Sequence, residues 1–219
     1  MAAASVANAV KVHIDAWSDI ACPWCYVGKA RLDQAIRNVE MRSAGKPLKV
    51  EVAWHPYMID LGTNPAGEDY LAYNKRRWGS GGWTQSLRGS GARNGLKFKD
   101  WNHWPNTLHA HRLVDLASSV GKGPEAEDVL FRRTYELGQN VSSLDVLIEA
   151  GQELDLPGVE EYLRSDQGLA EVKQQDRDAK SRMQIRSVPY FVLQQEYALS
   201  GAQDVKTFQE AIERAAEIQ

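Results

Sequence analysis

Cys22 and Cys25 are the only cysteines in 219 residues, and Pro23 and Trp24 separate them. Thiols three positions apart can cycle between dithiol and disulfide, supply half of a zinc site, or sit idle in a core. Structural zinc takes about four ligands, and the chain has no second cysteine pair. His109 and His111 are two apart and would leave a helix on different sides, while His103 lies in a Trp-rich stretch. His13 and His55 fall in strand-like segments. No metal is therefore expected. The spacing suits redox exchange: one thiolate attacks a disulfide, and the second sulfur resolves the mixed disulfide that results.

That chemistry needs support from the elements around it. Val12, Ile14 and Ala16 alternate with His13, Asp15 and Trp17, which predicts a strand over 11–17. Pro23 stands where the first residue of a helix would be. Gly28, Leu32, Ala35, Ile36 and Val39 then mark one face of that helix. A cysteine at a helix N-terminus meets free N–H groups and the positive end of the macrodipole. Such thiols have pKa values lowered to about 3.5–7.5. Cys22, at the tip, is the expected nucleophile and Cys25, one turn in, the expected resolving thiol. Pro23 restricts the backbone between them, and Trp24 sets an apolar face beside the sulfur.

Gly45-Lys46-Pro47 breaks the helix, and Leu48, Val50, Val52 and Trp54 alternate with Lys49, Glu51, Ala53 and His55 as a second strand. Strand–helix–strand implies a right-handed parallel crossover. At the far end, Tyr190 to Leu193 is a short apolar run suited to a strand buried on both faces. Tyr197 to Leu199 is its hairpin partner across Gln194-Gln195-Glu196, and Phe208, Ala211, Ile212 and Ala215 mark a closing helix. Together the two ends make a four-stranded sheet with helices on both sides.

The roughly 130 residues between these halves carry no convincing strand. Leu113, Leu116, Ala117 and Val120 mark one helix; Ala126, Val129, Leu130 and Leu137 mark a second. Ser142-Ser143 opens a third, and short helices follow around 158–165 and 168–183. This reads as a helical insertion over one end of the sheet.

Ser187-Val188-Pro189 precedes the third strand. In the plain reading it is a trans proline starting a strand. Beside a redox cysteine it serves better in cis, bringing the Val188 backbone to the sulfur to pair with an extended substrate.

Composition narrows the partners. The chain is 43% apolar and 25% charged with a net charge of −3, so a self-sufficient core is expected, without global attraction for nucleic acid or anionic membrane. No apolar run approaches the roughly 20 residues of a membrane span. Met1 to Val10 lacks a basic region and reads as a lead-in to the first strand, not a signal peptide. The expected compartment is the reducing cytosol, where paired cysteines are catalytic or metal-binding. Lys75, Arg76, Arg77, Arg88, Arg93, Lys97 and Lys99 lie among Trp78, Trp83 and Phe98 without acids. Single strands bind such mixtures, but no recognisable module is present, and a solvated loop over the active-site end is expected there. Trp101 and Trp104 are expected as core or loop anchors.

Ser18-Asp19-Ile20-Ala21-Cys22-Pro23-Trp24-Cys25-Tyr26-Val27-Gly28-Lys29 resembles the opening of DsbA-family oxidoreductases of the FrnE-like branch. Asn106-Thr107-Leu108-His109-Ala110-His111-Arg112 is similar to the same branch, as is Val188-Pro189-Tyr190-Phe191-Val192 through Gln203. The likeness runs from about residue 11 to 216. It implies a thioredoxin-like α/β fold with a large all-helical insertion between the second and third strands. The corresponding division is 1–60 and 168–219 for the sheet halves and 61–167 for the insertion. It also implies a redox pair at Cys22 and Cys25, a cis bond before Pro189, and no bound cofactor beyond the Cys22–Cys25 disulfide. 2-Hydroxychromene-2-carboxylate isomerases and kappa-class glutathione transferases resemble the same architecture, but generally carry Ser at the position of Cys22 and use glutathione.

The resemblance suggests that the start of the Asn106 helix faces the cleft, making Asn106 and His111 candidate substrate contacts, with Trp17 a further one. The competing reading gives capping by Asn106 or Thr107 and an exposed His–Arg face at His111 and Arg112. The expected function is thiol–disulfide exchange with protein or small thiol substrates. The alternatives are a glutathione-dependent isomerase or transferase, with glutathione as co-substrate, and a redox-regulated chaperone. A monomer and a homodimer fit equally.

Overall fold

The computed structural model describes residues 9–43 and 47–217. The lead-in expected over residues 1–8 and the break at Gly45-Lys46 lie outside them. The chain runs β1 (Val10–Ser18), α1 (Pro23–Arg42), β2 (Leu48–Pro56), β3 (Glu68–Asp69), α2 (Tyr70–Trp78), α3 (Thr84–Ala92) and β4 (His103–Trp104). It continues with α4 (Leu108–Ser119), α5 (Gly123–Tyr135), α6 (Leu144–Glu153), α7 (Val159–Arg164) and α8 (Leu169–Ser181). It closes with β5 (Tyr190–Leu193), β6 (Tyr197–Ser200) and α9 (Val205–Ala216).

Both ends of the chain build one sheet in the order β2-β1-β5-β6. β1 and β2 are parallel, with Val10 opposite Leu48 and Ser18 opposite Pro56, as the helical crossover requires. β5 runs antiparallel to β1 and pairs with β6 across a turn in which Gln194 and Gln195 both take positive φ. Such a turn matches the twist of a hairpin.

The two faces of the sheet differ. Val12, Ile14 and Ala16 are fully buried, and α9 packs against α1, β1 and β5. On the other face Lys11 and His13 are exposed and Asp15 half-buried. Only its Trp17 end is covered, by Tyr57, Ala179 of α8 and Ile185. The expectation of helices on both sides is thus met over one end of the second face. The polar residues alternating along β1 have no apolar surface to offer a second helical layer.

The middle of the chain is mainly helical. α4 is its hub, packed against α5, α6, α7, α8 and the end of β2. Two features differ from expectation. β3 and β4 pair as a two-residue antiparallel ribbon, Glu68 with Trp104 and Asp69 with His103, too short for periodicity to reveal. The segment expected as a solvated loop holds α2 and α3, with Tyr73, Leu87, Phe98, Trp101 and Trp104 buried. Its glycines read as loop signals, yet they serve packed structure. Gly79 ends α2 in the left-handed conformation, and Gly91 sits inside α3 where a Cβ would collide with the Phe98 ring. Trp101 and Trp104 are core anchors.

Candidate functional site

The dithiol stands where β1 delivers the chain to α1. Asp19 turns the backbone: its carbonyl accepts from the Cys22 N–H at 2.8 Å, and its Oδ1 accepts from the Ala21 N–H at 3.1 Å. Cys22 is the N-cap of α1 with extended φ and ψ, and Pro23 opens the helix where no N–H is needed. Cys25 follows one turn in, its N–H donating to the Cys22 carbonyl at 2.9 Å. Both are free thiols. Cys22 keeps 5% of its surface exposed and Cys25 none.

The far end of the sequence completes the site. The Val188–Pro189 bond is cis, and the Cys22 thiol donates to the Val188 carbonyl at 3.6 Å across 166 residues. Gly28, two turns along α1, makes this approach possible. A Cβ there would lie 2.9 Å from Pro189 Cγ and 3.5 Å from Ala202.

Electrostatics separate the two sulfurs. Burial pushes the Cys25 thiol well above its ordinary value, and the neighbouring Cys22 pushes the same way. The Asp19 backbone N–H works in the opposite sense. Cys25 therefore waits as a neutral thiol while Cys22 is reduced.

Beneath the pair lies a closed polar array. Asp19 is 1% exposed; its Oδ1 also accepts from Thr107 Oγ1 at 2.7 Å and faces His111 Nε2 at 3.5 Å, and its Oδ2 accepts from the Ile59 N–H at 2.7 Å. One carboxylate thus ties β1, α4 and the loop after β2 together. Glu127 of α5 is fully buried and accepts from Ser18 Oγ at 3.2 Å; burial raises its pKa to about 7, against the opposing pull of His111 and Lys29. The Tyr135 hydroxyl donates to the Ile20 carbonyl at 3.0 Å, its pKa raised by burial and then by Cys22 and Asp19.

The outward side of Cys22 is apolar. Cys22, Pro23, Trp24, Ile59, Trp78, Trp83 and Trp104 line a cavity of about 400 Å³. Trp24 is thus at the site, as its place between the cysteines suggests.

The remaining candidates lie elsewhere. Trp17 stacks on His55 at 4.8 Å in the small cluster at the Trp17 end of the sheet, outside this cavity. Strand alternation turns it to the face opposite Ala16. Asn106 is a structural pin: Nδ2 donates to the Thr63 carbonyl at 2.9 Å, and Oδ1 accepts from the Leu108 N–H at 3.2 Å. It lines a separate cavity with Asp60, Thr107 and Lys173. His111 is 2% exposed, inside the buried array, where it faces Asp19. The exposed His–Arg face also fails. Arg112 has no exposed surface, and it donates to the carbonyls of Tyr162, Leu163, Ser165 and Gln167. Four inward-facing carbonyls at the end of α7 and the turn beyond it give a guanidinium a reason to be buried. Reasoning from sequence missed Asp19, Trp78, Trp83, Trp104 and Ile59 as parts of the site. Trp78 and Trp83 were expected in a loop over the active-site end, but nothing linear placed their rings, Trp104 or Ile59 against Cys22.

Comparison with known proteins agrees with this geometry. The profile described as the DSBA-like thioredoxin domain matches residues 13–213. The fold is similar to the crystal structure of a probable DsbA oxidoreductase from Streptomyces coelicolor, at 28% identity, 95% and 91% coverage of the two chains and a TM-score of 0.80. The sequence is similar to the uncharacterized protein YwbO of Bacillus subtilis, 25% identical over 92% of this chain and 96% of that one. The fold also resembles the glutathione-bound cytosolic disulfide reductase DsbM of Pseudomonas aeruginosa, at 18% identity, 94% and 96% coverage and a TM-score of 0.61.

Proposed function

The chain belongs to the DSBA-like thioredoxin domain family, an enzyme family of disulfide oxidoreductases, and from that premise we propose that it exchanges disulfides through Cys22 and Cys25. Cys22 attacks a substrate disulfide and Cys25 resolves the mixed disulfide, releasing the second thiol and leaving Cys22 bonded to Cys25. The observation that carries this reading is the Cys22 thiol at the helix N-cap, 3.6 Å from the Val188 carbonyl before the cis-proline, with Cys25 wholly buried behind it. The Val188 backbone beside the sulfur is placed to pair with a bound substrate, which docks against the inserted unit of residues 61–167.

Trapping tests it. Cys25→Ser accumulates mixed disulfides on Cys22 with the substrates of the reduced enzyme, and Cys22→Ser accumulates none. Loss of adducts from Cys25→Ser, or unchanged exchange in Cys22→Ser, would end the proposal. The resolving step quickens as pH rises, because Cys25 must lose a proton that burial holds. Stopped-flow release from the preformed mixed disulfide reads this directly.

Glutathione is a second candidate substrate, supported by the fold's likeness to the glutathione-bound reductase. Adducts on Cys25→Ser formed with glutathione alone, to the exclusion of other thiols, favour it. Among the described residues no helix is long and apolar enough to cross a membrane. A cytoplasmic site of action is part of the proposal, since both cysteines are committed to exchange and neither to a structural cross-link.

A further inference from the structure

The indole-lined cavity at Cys22 has a neighbour of different character. A second cavity of about 380 Å³ is lined by Tyr57, Ile59, Arg77, Trp78, Arg186, Ser187 and Val188. Ile59 and Trp78 form a wall common to both. Cys22 belongs to the first cavity and hydrogen-bonds to Val188 of the second. The reacting sulfur therefore lies at the boundary of an apolar compartment and a cationic one.

Each compartment is selective by its chemistry. The first offers four indoles and no charged side chain, and Trp83 Nε1 already donates to Asn74 Oδ1 at 2.9 Å. A peptide backbone entering it would leave amides unpaired, whereas an aryl ring has none to lose and stacks on the indoles. Its volume is within the roughly 300–1,000 Å³ usual for small-molecule sites. The second compartment carries two arginines and no acid. The Arg77 guanidinium lies over the Trp78 ring at 5.1 Å, and Arg186 donates to Gln184 Oε1. Neither is in an ion pair with a carboxylate among the described residues. Arg76, Arg132, Arg133 and Arg164 all have acidic partners.

We propose that the enzyme's substrates are small disulfides of aryl thiols that carry a carboxylate, the ring held by the indole cavity and the carboxylate by Arg77 and Arg186. This rests on the reading that Cys22 is the attacking thiol. The Cys22 thiolate attacks one sulfur of Ar–S–S–Ar, the S–S bond breaks, and the first aryl thiolate leaves with the electron pair. The second aryl group, bonded to Cys22, occupies the indole cavity. Cys25 gives its proton to solvent, attacks the Cys22 sulfur and expels the second thiolate. One substrate disulfide is reduced by two electrons, and Cys22 and Cys25 are oxidised to a disulfide.

Reduced full-length protein is mixed in single-turnover experiments with four disulfides: dithiobis(nitrobenzoate), dithiodipyridine, dithiodipropionate and hydroxyethyl disulfide. They carry, respectively, ring and carboxylate, ring alone, carboxylate alone, and neither. Each rate is divided by that of dithiothreitol with the same disulfide, which removes intrinsic reactivity. Normalised rates are expected to fall in that order from nitrobenzoate to hydroxyethyl, the extremes about tenfold or more apart, a difference of about 1.4 kcal/mol in the barrier. Trp78→Ala lowers both aryl disulfides. The double variant R77Q/R186Q lowers the two anionic ones and spares dithiodipyridine, and about 1 M salt reproduces its effect in the parent protein by screening. Four normalised rates within twofold, or an equal loss for dithiodipyridine in R77Q/R186Q, overturns the assignment of substrate class while leaving Cys22 as nucleophile. A preference for a cysteine-peptide disulfide over all four does the same. Failure to reduce any disulfide overturns the nucleophile reading itself.

Discussion

The two sides of the dithiol are built in opposite ways. Outward from Cys22 the walls are tryptophan and isoleucine, and Trp78 is half exposed to solvent. Inward lie Asp19, His111, Glu127 and Lys29, each at most 2% exposed. Folding usually buries the apolar residues and leaves the ionisable ones wet. Here the inner groups hold elements together: Asp19 joins β1 to α4 and to Ile59, and Lys29 bridges Asp33 at 2.8 Å and Asp128 at 2.6 Å. The outer indoles form no buried ion pairs: Trp104 stacks on Tyr73 at 3.9 Å, Trp83 Nε1 donates to Asn74, and Trp78 is half exposed. The contrast teaches that buried charge serves architecture beneath the dithiol, while the outward surface is where our proposal places recognition.

The most severe way to break the inner side is Asp19→Ala. It strips the Ile59 N–H and Thr107 hydroxyl of their acceptor and leaves His111 facing a void, so a loss of about 3–5 kcal/mol is expected in denaturant unfolding. Glu127→Gln acts in the opposite direction. The folded pKa of Glu127, about 7, stands above its ordinary 4.5, so the native state is favoured below pH 4.5 and pays progressively for the buried charge as pH rises to 7. The neutral amide removes that penalty, worth roughly 3 kcal/mol above pH 7 and almost nothing below 4.5. Unfolding midpoints across that range check both sign and window.

Gly28→Ala probes the contact that brings the two halves of the site together. Alanine is the better helix former by about 0.5–1 kcal/mol, but its Cβ meets Pro189 at 2.9 Å. A net loss of about 1 kcal/mol is expected, with slower exchange because Val188 is displaced from Cys22. Trp78→Ala is the smallest change for the fold, within about 0.5 kcal/mol as befits a half-exposed surface residue. Its effect belongs to aryl substrates. Should Trp78→Ala prove as destabilising as Asp19→Ala, the division between the two sides would collapse.

Much of this was legible in one dimension. The alternation in β1 and β2, the helical face from Gly28 to Val39 and the short run Tyr190 to Leu193 follow from periods of 2 and 3.6, which depend on neighbours along the chain. Cys22 and Cys25 are close because they are three positions apart, at the cap and in the first turn of one helix. Pro189 was identifiable through its pairing with a redox motif, and its position against Cys22 follows from β5 lying beside β1 in the sheet.

What the chain could not announce is what depends on distance in space. Trp78, Trp83 and Trp104 reach Cys22 because β3 and β4 pair over two residues and fold α2 and α3 back, contacts too few to leave a periodic trace. His111 and Arg112 look like surface residues of a helix until α5, α7 and α8 close around α4. A charged side chain is buried only where partners from other elements offset its desolvation, and those partners lie 50 to 92 positions away. The sequence by itself determined the redox chemistry and the sheet that carries it. The tertiary structure alone decided which groups face substrate and which are locked within, because burial belongs to the assembled surface and not to any stretch of chain.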